Sequence, residues 1–206
     1  MMLLAVETTA AVATVALLRD GVLIAEREAD ADKKHAETLL PLIDDILEEN
    51  DVTITEIDLF AVDVGPGSFT GVRIGVSLVN ALAFATGKKI IPVDSLETLA
   101  LSAGETNHPV AAMIDARNGN AYAAMYQAGV ALIDPCAIEI AEFSAKLPQD
   151  ALFVGDVKAK EKTFPRARFV ALAALEHVER ATEEADPVYL RPSQAERTKQ
   201  KSNREA

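Results

Sequence analysis

The stretch Gly65-Pro66-Gly67-Ser68-Phe69-Thr70-Gly71-Val72-Arg73-Ile74-Gly75 sets four glycines and a proline between two apolar segments. Ahead of it, Ile57 to Val64 reads as a buried strand, because the run is short and stops at a Gly-Pro-Gly cluster. Behind it, Thr70 to Thr86 reads as a helix with Gly87 as its C-terminal stop. The glycines therefore mark a strand-to-helix joint. Unpaired N–H groups and the positive end of the helix dipole suit an anion such as phosphate there, and a purely structural turn is the other reading. It is not a Walker A loop, since Gly71 is followed by Val72 where a Gly-Lys-Ser/Thr sequence is required. Gly71 and Gly75 share one helix face, and Ala83 and Ala85 thin the helix further on. Missing side chains let another backbone come close, from the same chain or from a second one.

Around this joint the first half reads as alternating elements. Leu3 to Val6, Ala11 to Leu18 and Val22 to Glu28 form a meander whose second turn is Asp20-Gly21. From His35 to about Glu49 the apolar residues Leu39, Leu40, Leu42, Ile43, Ile46 and Leu47 recur at helical spacing. Pro41 predicts a kink or a late helix start. Ile90 to Val93 is a further strand. The second half echoes the first: Val110 to Ile114 leads through Asp115 into a polar turn and the strand Ala121 to Gln127. Asp115 precedes Gly129 by the distance at which Glu7 precedes Gly21. A strand around Leu152 to Asp156 and a helix around Ala171 to Ala181 follow, with a boundary expected near Ser102 to His108.

Composition removes several function classes. Half of the 206 residues are apolar and a quarter charged, which excludes a disordered or fibrous chain. With Cys136 alone, no intramolecular disulfide or zinc cluster is expected, and the cytoplasm is the expected compartment. Met1 to Glu7 lacks a basic leader and reads as no signal peptide, and the apolar run from Val72 to Thr86 is too short for a membrane span. A net charge of −12 repels a phosphate backbone, so direct nucleic-acid binding would need the basic tail with Arg191, Arg197, Lys199, Lys201 and Arg204. His35, His108 and His177 are scattered without metal spacing, and no metal site is expected. Asp44, Asp45, Glu48 and Glu49 read as a solvated helix face rather than acid–base machinery.

The glycine-rich stretch, His35-Ala36-Glu37-Thr38-Leu39-Leu40-Pro41-Leu42-Ile43, Asp115-Ala116-Arg117 and Pro187-Val188-Tyr189-Leu190-Arg191-Pro192 together resemble the TsaB (YeaZ) family, with Ala36 where that family usually has Ser. The resemblance implies an α/β fold of the actin-like/Hsp70-like ATPase (ribonuclease H-like) type, with two duplicated halves and a mixed five-stranded sheet in each. The halves would cover residues 1–104 and 105–190, with a polar basic tail at 191–206. It further implies a non-catalytic subunit that binds and activates the catalytic paralogue TsaD in forming N6-threonylcarbamoyladenosine in tRNA. The ATPase TsaE joins through the complex, a homodimer forms through the same surface when the chain is alone, tRNA is met indirectly, and no membrane is involved. The interface residues it implies are His35, Glu37, Leu39, Leu40, Ile43 and Leu47 on the first helix, and Gly71, Val72, Arg73, Gly75 and Val76 on the second. No catalytic residue is implied. TsaD carries a metal-binding His-x-x-x-His pair, where this chain has His35 and Leu39. Glu7-Thr8-Thr9 stands where the superfamily places an Asp-x-Gly-Thr type turn against nucleotide phosphates, so these three are the candidates for a weak nucleotide contact at the partner interface. The alternative is an autonomous ATPase/kinase-like or glycoprotease-like enzyme of the same superfamily.

Overall fold

In the computed structural model, which describes residues 1–29 and 34–191, β1 (Met2–Glu7) pairs antiparallel with β2 (Thr14–Arg19), which pairs antiparallel with β3 (Val22–Glu28). Asp20 and Gly21 both have positive φ, 52° and 80°, the geometry a tight Asp-Gly hairpin needs. On its other side β1 pairs in parallel with β4 (Leu59–Asp63), and β4 in parallel with β5 (Lys89–Val93), giving the order β3-β2-β1-β4-β5. Helices cover both faces, which is why the central strands β1 and β4 are apolar up to their last residues, Glu7 and Asp63. Leu4, Val6, Phe60 and Val62 pack under α1 (His35–Glu48) and α2 (Phe69–Thr86). Leu3, Ala5, Leu59 and Ala61 pack under α5 (Ala167–Glu176).

The second sheet repeats the order as β8-β7-β6-β9, built from β6 (Val110–Asp115), β7 (Asn120–Gln127), β8 (Val130–Glu139) and β9 (Leu152–Gly155). It has four strands among the described residues, which corrects the expected five. Beyond β9 the chain does not add a strand: Thr163 donates to Gly155 O and its hydroxyl accepts from Gly155 N, so a loop sits on that edge before α5 crosses back to the first sheet. In exchange, α3 (Ser95–Leu101), which follows β5, packs Leu96 and Leu99 on Val110, Ala112 and Ala124 of the second sheet. Short α4 (Ile140–Ala145) buries Phe143 on the opposite face.

Several boundaries differ from the sequence reading for local reasons. β2 begins at Thr14 rather than Ala11, because the backbone N–H groups of Thr9 and Ala10 both bond the Glu7 carboxylate and hold the preceding residues in a turn. The helix α1 starts at His35 with Pro41 inside it, so the late start does not occur. The last helix lies four residues earlier than expected at its start, over Ala167–Glu176. β8 was not anticipated; it is an edge strand, where Pro135 removes no ladder bond from a neighbour. All of the basic tail after Arg191 lies outside the described residues.

One cross-connection fixes α5. The Glu26 carboxylate on β3 accepts from the Arg168 backbone N–H and from the Arg168 and Arg166 guanidinium groups. Burial raises the Glu26 pKa, and these bonds outweigh burial to leave it below its ordinary value. Its contribution is therefore complete above the ordinary carboxylate range and is lost as pH falls through the lowered value. Glu26→Ala removes every one of these acceptors, and urea titration is expected to show a loss of about 1–3 kcal/mol at neutral pH that narrows in acid. A loss below about 0.5 kcal/mol would mark the cluster as an ordinary surface pair.

Candidate functional site

The joint after β4 is held by bonds from its backbone N–H groups to both side-chain and backbone oxygens. Asp63 Oδ1 accepts from Gly65 N at 2.9 Å, Gly65 O accepts from Ser95 N at 2.9 Å, and the Gly65–Pro66 peptide is cis. Ser68 donates its N–H to Thr9 O at 2.9 Å, and its hydroxyl and carbonyl then accept from Gly71 N and Val72 N to start α2. The β1–β2 turn lies directly on that start. Thr8 Oγ1 donates to Gly71 O at 2.7 Å, and a Cβ added at Gly71 or Gly75 would stand 1.9 Å from Thr8 O or 2.3 Å from Thr8 Oγ1. Of the two readings left open by the sequence, the close approach at these glycines is made by the same chain.

Glu7, Thr8 and Thr9 are all buried. Glu7 Oε1 accepts from Thr9 N at 2.5 Å, Thr9 Oγ1 at 2.7 Å and Ala10 N at 3.0 Å. Burial pushes its pKa up to about 7 against these bonds, which lower it. Asp63 is raised well above the carboxylate range, first by burial and then by the neighbouring Glu7, while its bond from Ser95 Oγ at 2.5 Å opposes the shift. The same motif recurs in the second half, where Asp115 Oδ1 accepts from Arg117 N at 2.7 Å. The echo seen in the sequence is thus the same acid capping its own turn, buried in one half and exposed in the other.

On α1 and α2 the residues expected at a partner surface divide in two. Leu39, Ile43, Leu47, Gly71, Val72, Gly75 and Val76 lie inside the chain's own first core, with Ile43 at 1% exposure. The first sheet covers their apolar area, so Gly71→Leu and Ile43→Asp are expected to break the fold. His35 is half-buried with Nε2 3.1 Å from Ala10 O, whereas Glu37, Leu40 and Arg73 are exposed. Arg73 already has partners: its guanidinium lies 3.8 Å from the Phe69 ring centre, and its Nε donates to Tyr189 Oη at 2.8 Å. The acids Asp44, Asp45, Glu48 and Glu49 are exposed, as a solvated face requires. His108 pairs with Asp150 at 3.2 Å and His177 with Glu97 at 2.6 Å, and no group of three metal-ligating side chains exists among the described residues.

The family model for TsaD, tRNA N6-adenosine threonylcarbamoyltransferase, matches residues 27–190. A YeaZ structure from Pseudomonas aeruginosa superimposes with a TM-score of 0.76 at 31% identity, covering 92% of this chain and 99% of that one. The chain belongs to the TsaB (YeaZ) family. A second structure, described as an uncharacterized protein with similarity to peptidase YeaZ from Pseudomonas aeruginosa, has a TM-score of 0.81 at 29% identity over 92% of this chain and 99% of that one. The tRNA threonylcarbamoyladenosine biosynthesis protein TsaB of Escherichia coli (strain K12) is 40% identical over 62% of this chain and 55% of its own length. The Bacillus subtilis (strain 168) protein of that name is 36% identical over 62% and 56%. The chain thus spans about half the length of these curated relatives. With the repeated sheet order, the fold is of the actin-like ATPase type.

Two features of this TsaB-family fold escaped the sequence reading. Phe84 on α2 is 90% exposed, about 100° round the helix from the buried stripe Val72, Val76, Val79 and Ala83, and near exposed Ser77, Ala81 and Ala85. Helix α2 is also long and apolar enough to pass as a membrane span, but that apolar stripe is packed on the first sheet. The signal for Phe84 was a lone aromatic in the small-residue stretch Ala81 to Thr86, out of step with the apolar stripe Val72, Val76 and Val79. Between the halves lies a cleft of about 580 Å³ whose walls include Thr9, Ser68, Asp115, Arg117, Tyr189 and Arg191. Of the three nucleotide candidates, Thr9 reaches it. Gly71→Ala drives a methyl into the Thr8 carbonyl, and a loss of more than ~2 kcal/mol is expected in urea unfolding. Ser77→Ala, on the exposed side of the same helix, is expected to change it by less than ~0.5 kcal/mol.

Proposed function

We propose that this chain is a non-catalytic subunit of the machinery that forms N6-threonylcarbamoyladenosine in tRNA, and that it binds and activates TsaD. Its family membership and the naming of its relatives support the pathway. The observation that carries the subunit role is the outward side of α2, where Phe84 is 90% exposed beside small residues. An aromatic ring left in water on a helix with small neighbours is an anchor that a second helix pair can cover closely. The adjacent helix α1 adds Leu40 and Pro41, both exposed, so the docking face is the outer side of both helices and differs from the buried stripe named above. A non-catalytic role is supported by the β1–β2 turn: Glu7 is turned inward onto Thr9 and Ala10, away from the cleft where a phosphate-directed acid would act. Leu39 stands in the core where a second metal-binding histidine would be needed beside His35. In this reading no cofactor is held by the chain alone, TsaE and tRNA are met through the complex in the cytoplasm, and homodimers use the same face.

The test is tRNA threonylcarbamoylation by purified TsaD and its companions, with and without this chain. Modification is expected to depend on the chain, which alone hydrolyses no ATP. Phe84→Asp is expected to leave the melting temperature unchanged and to weaken the complex about thirty-fold, the effect of losing ~2 kcal/mol at a hot spot. ATP hydrolysis by the isolated chain, or modification indifferent to its presence, would overturn the proposal.

A further inference from the structure

Val6 pairs with Val62 across parallel β1 and β4, so the next residues, Glu7 and Asp63, stand side by side at the strand ends. Neighbouring strands are about 4.8 Å apart, and equal register sends both side chains to the same face. Both residues are 0% exposed. One oxygen of each is fully engaged: Glu7 Oε1 by Thr9 and Ala10, and Asp63 Oδ1 by Gly65 N and Ser95 Oγ. The other oxygen of each, Glu7 Oε2 and Asp63 Oδ2, has no partner. The donors that bond the pair thus all engage the same two oxygens, and the two left over belong to adjacent carboxyl groups.

Two ionised carboxylates in this position would be mutually repulsive, out of water, and each short of a hydrogen bond. The charged groups acting on them do not offset this. Arg166, at the start of α5, favours the charged form of Glu7, but its guanidinium is already paired with Glu26 and Glu28. Asp94, at the start of α3, adds a like charge beside Asp63. β2 opposes Glu7 with neutral Thr14, and α2 presents Gly71 and Gly75 to the turn. We propose that Glu7 and Asp63 share a single proton between Glu7 Oε2 and Asp63 Oδ2, and that this proton clamps the ends of β1 and β4 together beneath the turn and the glycine joint. One proton satisfies both orphaned oxygens and removes one of two buried charges, without any added volume.

The second half is an internal control. It has no such pair: continuing the β6–β9 register past Met113 and Gly155 sets Asp115 level with the apolar Val157, and Asp115 itself is exposed. In the first half burial raises both pKa values, Glu7 to about 7 from 4.5. A raised folded-state value means that the native chain keeps a proton the unfolded chain has released. Stability from the pair is therefore complete below the ordinary carboxylate range. It declines as pH rises from there to about 7, and further as the remaining proton on the pair leaves.

Amide isosteres read the proton directly. In Glu7→Gln the amide oxygen keeps the bonds from Thr9 and Ala10 while its NH2 donates to Asp63 Oδ2, and Asp63→Asn is the mirror case. Each single variant is expected to melt at or above the parent at about pH 8.5 and to lose the parent's alkaline decline. The double variant turns two NH2 groups on each other and is expected to melt at least ~5 °C below either single one at every pH. A double variant no worse than the singles, or singles below the parent at about pH 8.5, overturns the proposal. Independently of any variant, the unmodified chain is expected to show a protonated-carboxyl stretching band in its infrared spectrum at about pH 7.5. Its absence overturns the shared proton as well.

Discussion

Thr8 can lie against α2 because Gly71 and Gly75 leave two side chains out of the way, and much of the first half is oriented by that contact. A Cβ at either position would overlap the turn, so the helix presents these two glycines to it. Once they face in, Val72, Val76 and Val79 are carried onto the first sheet, and Arg73, Ser77, Ala81 and Phe84 are left outside. The outer face of α2 is therefore decided by where side chains are missing as much as by where apolar ones are present. The bond from Ser68 N to Thr9 O locks the same geometry from the loop side.

What was legible in the sequence was what local chemistry decides. The Asp20-Gly21 hairpin, the stop at Gly87 with φ of 67°, and the apolar central strands each follow from residues within a few positions of one another. The echo between Glu7 and Asp115 was also readable, and it became the same acid-to-backbone cap in both halves. What was not legible was what covers a given face. Leu39, Ile43 and Leu47 announce by their spacing that one side of α1 is covered, but spacing carries no information on whether the cover is the chain's own sheet or another molecule. The structure answers with the sheet, and leaves Leu40, Pro41 and Phe84, which have no periodic signature, exposed.

Two elements were missed for different reasons. β8 contains Pro135 and alternates poorly, so nothing in it reads as a strand until β7 supplies a ladder. α3 had a signal that could have been used: Asp94 accepts from Leu96 N at 2.7 Å and Glu97 lies three positions on, an N-terminal cap pattern in front of Leu96 and Leu99. It is short enough that helical periodicity does not emerge from it. Burial rather than sequence separates the two capping acids: Glu7 and Asp115 occupy like positions, and Glu7 lies at the end of a sheet covered by α5 while Asp115 is exposed.

The exchange of α3 and α5 between sheets has a mechanical consequence. A chain opened in the loop between Leu101 and Val110 would yield a first piece holding the helix that covers the second sheet, and a second piece holding the helix that covers the first. Neither piece could close its own layers, yet each carries the part the other lacks. The molecule is in this sense a pair of complementary fragments joined by one loop, and its two sheets must assemble as a unit although they were built from a repeated plan.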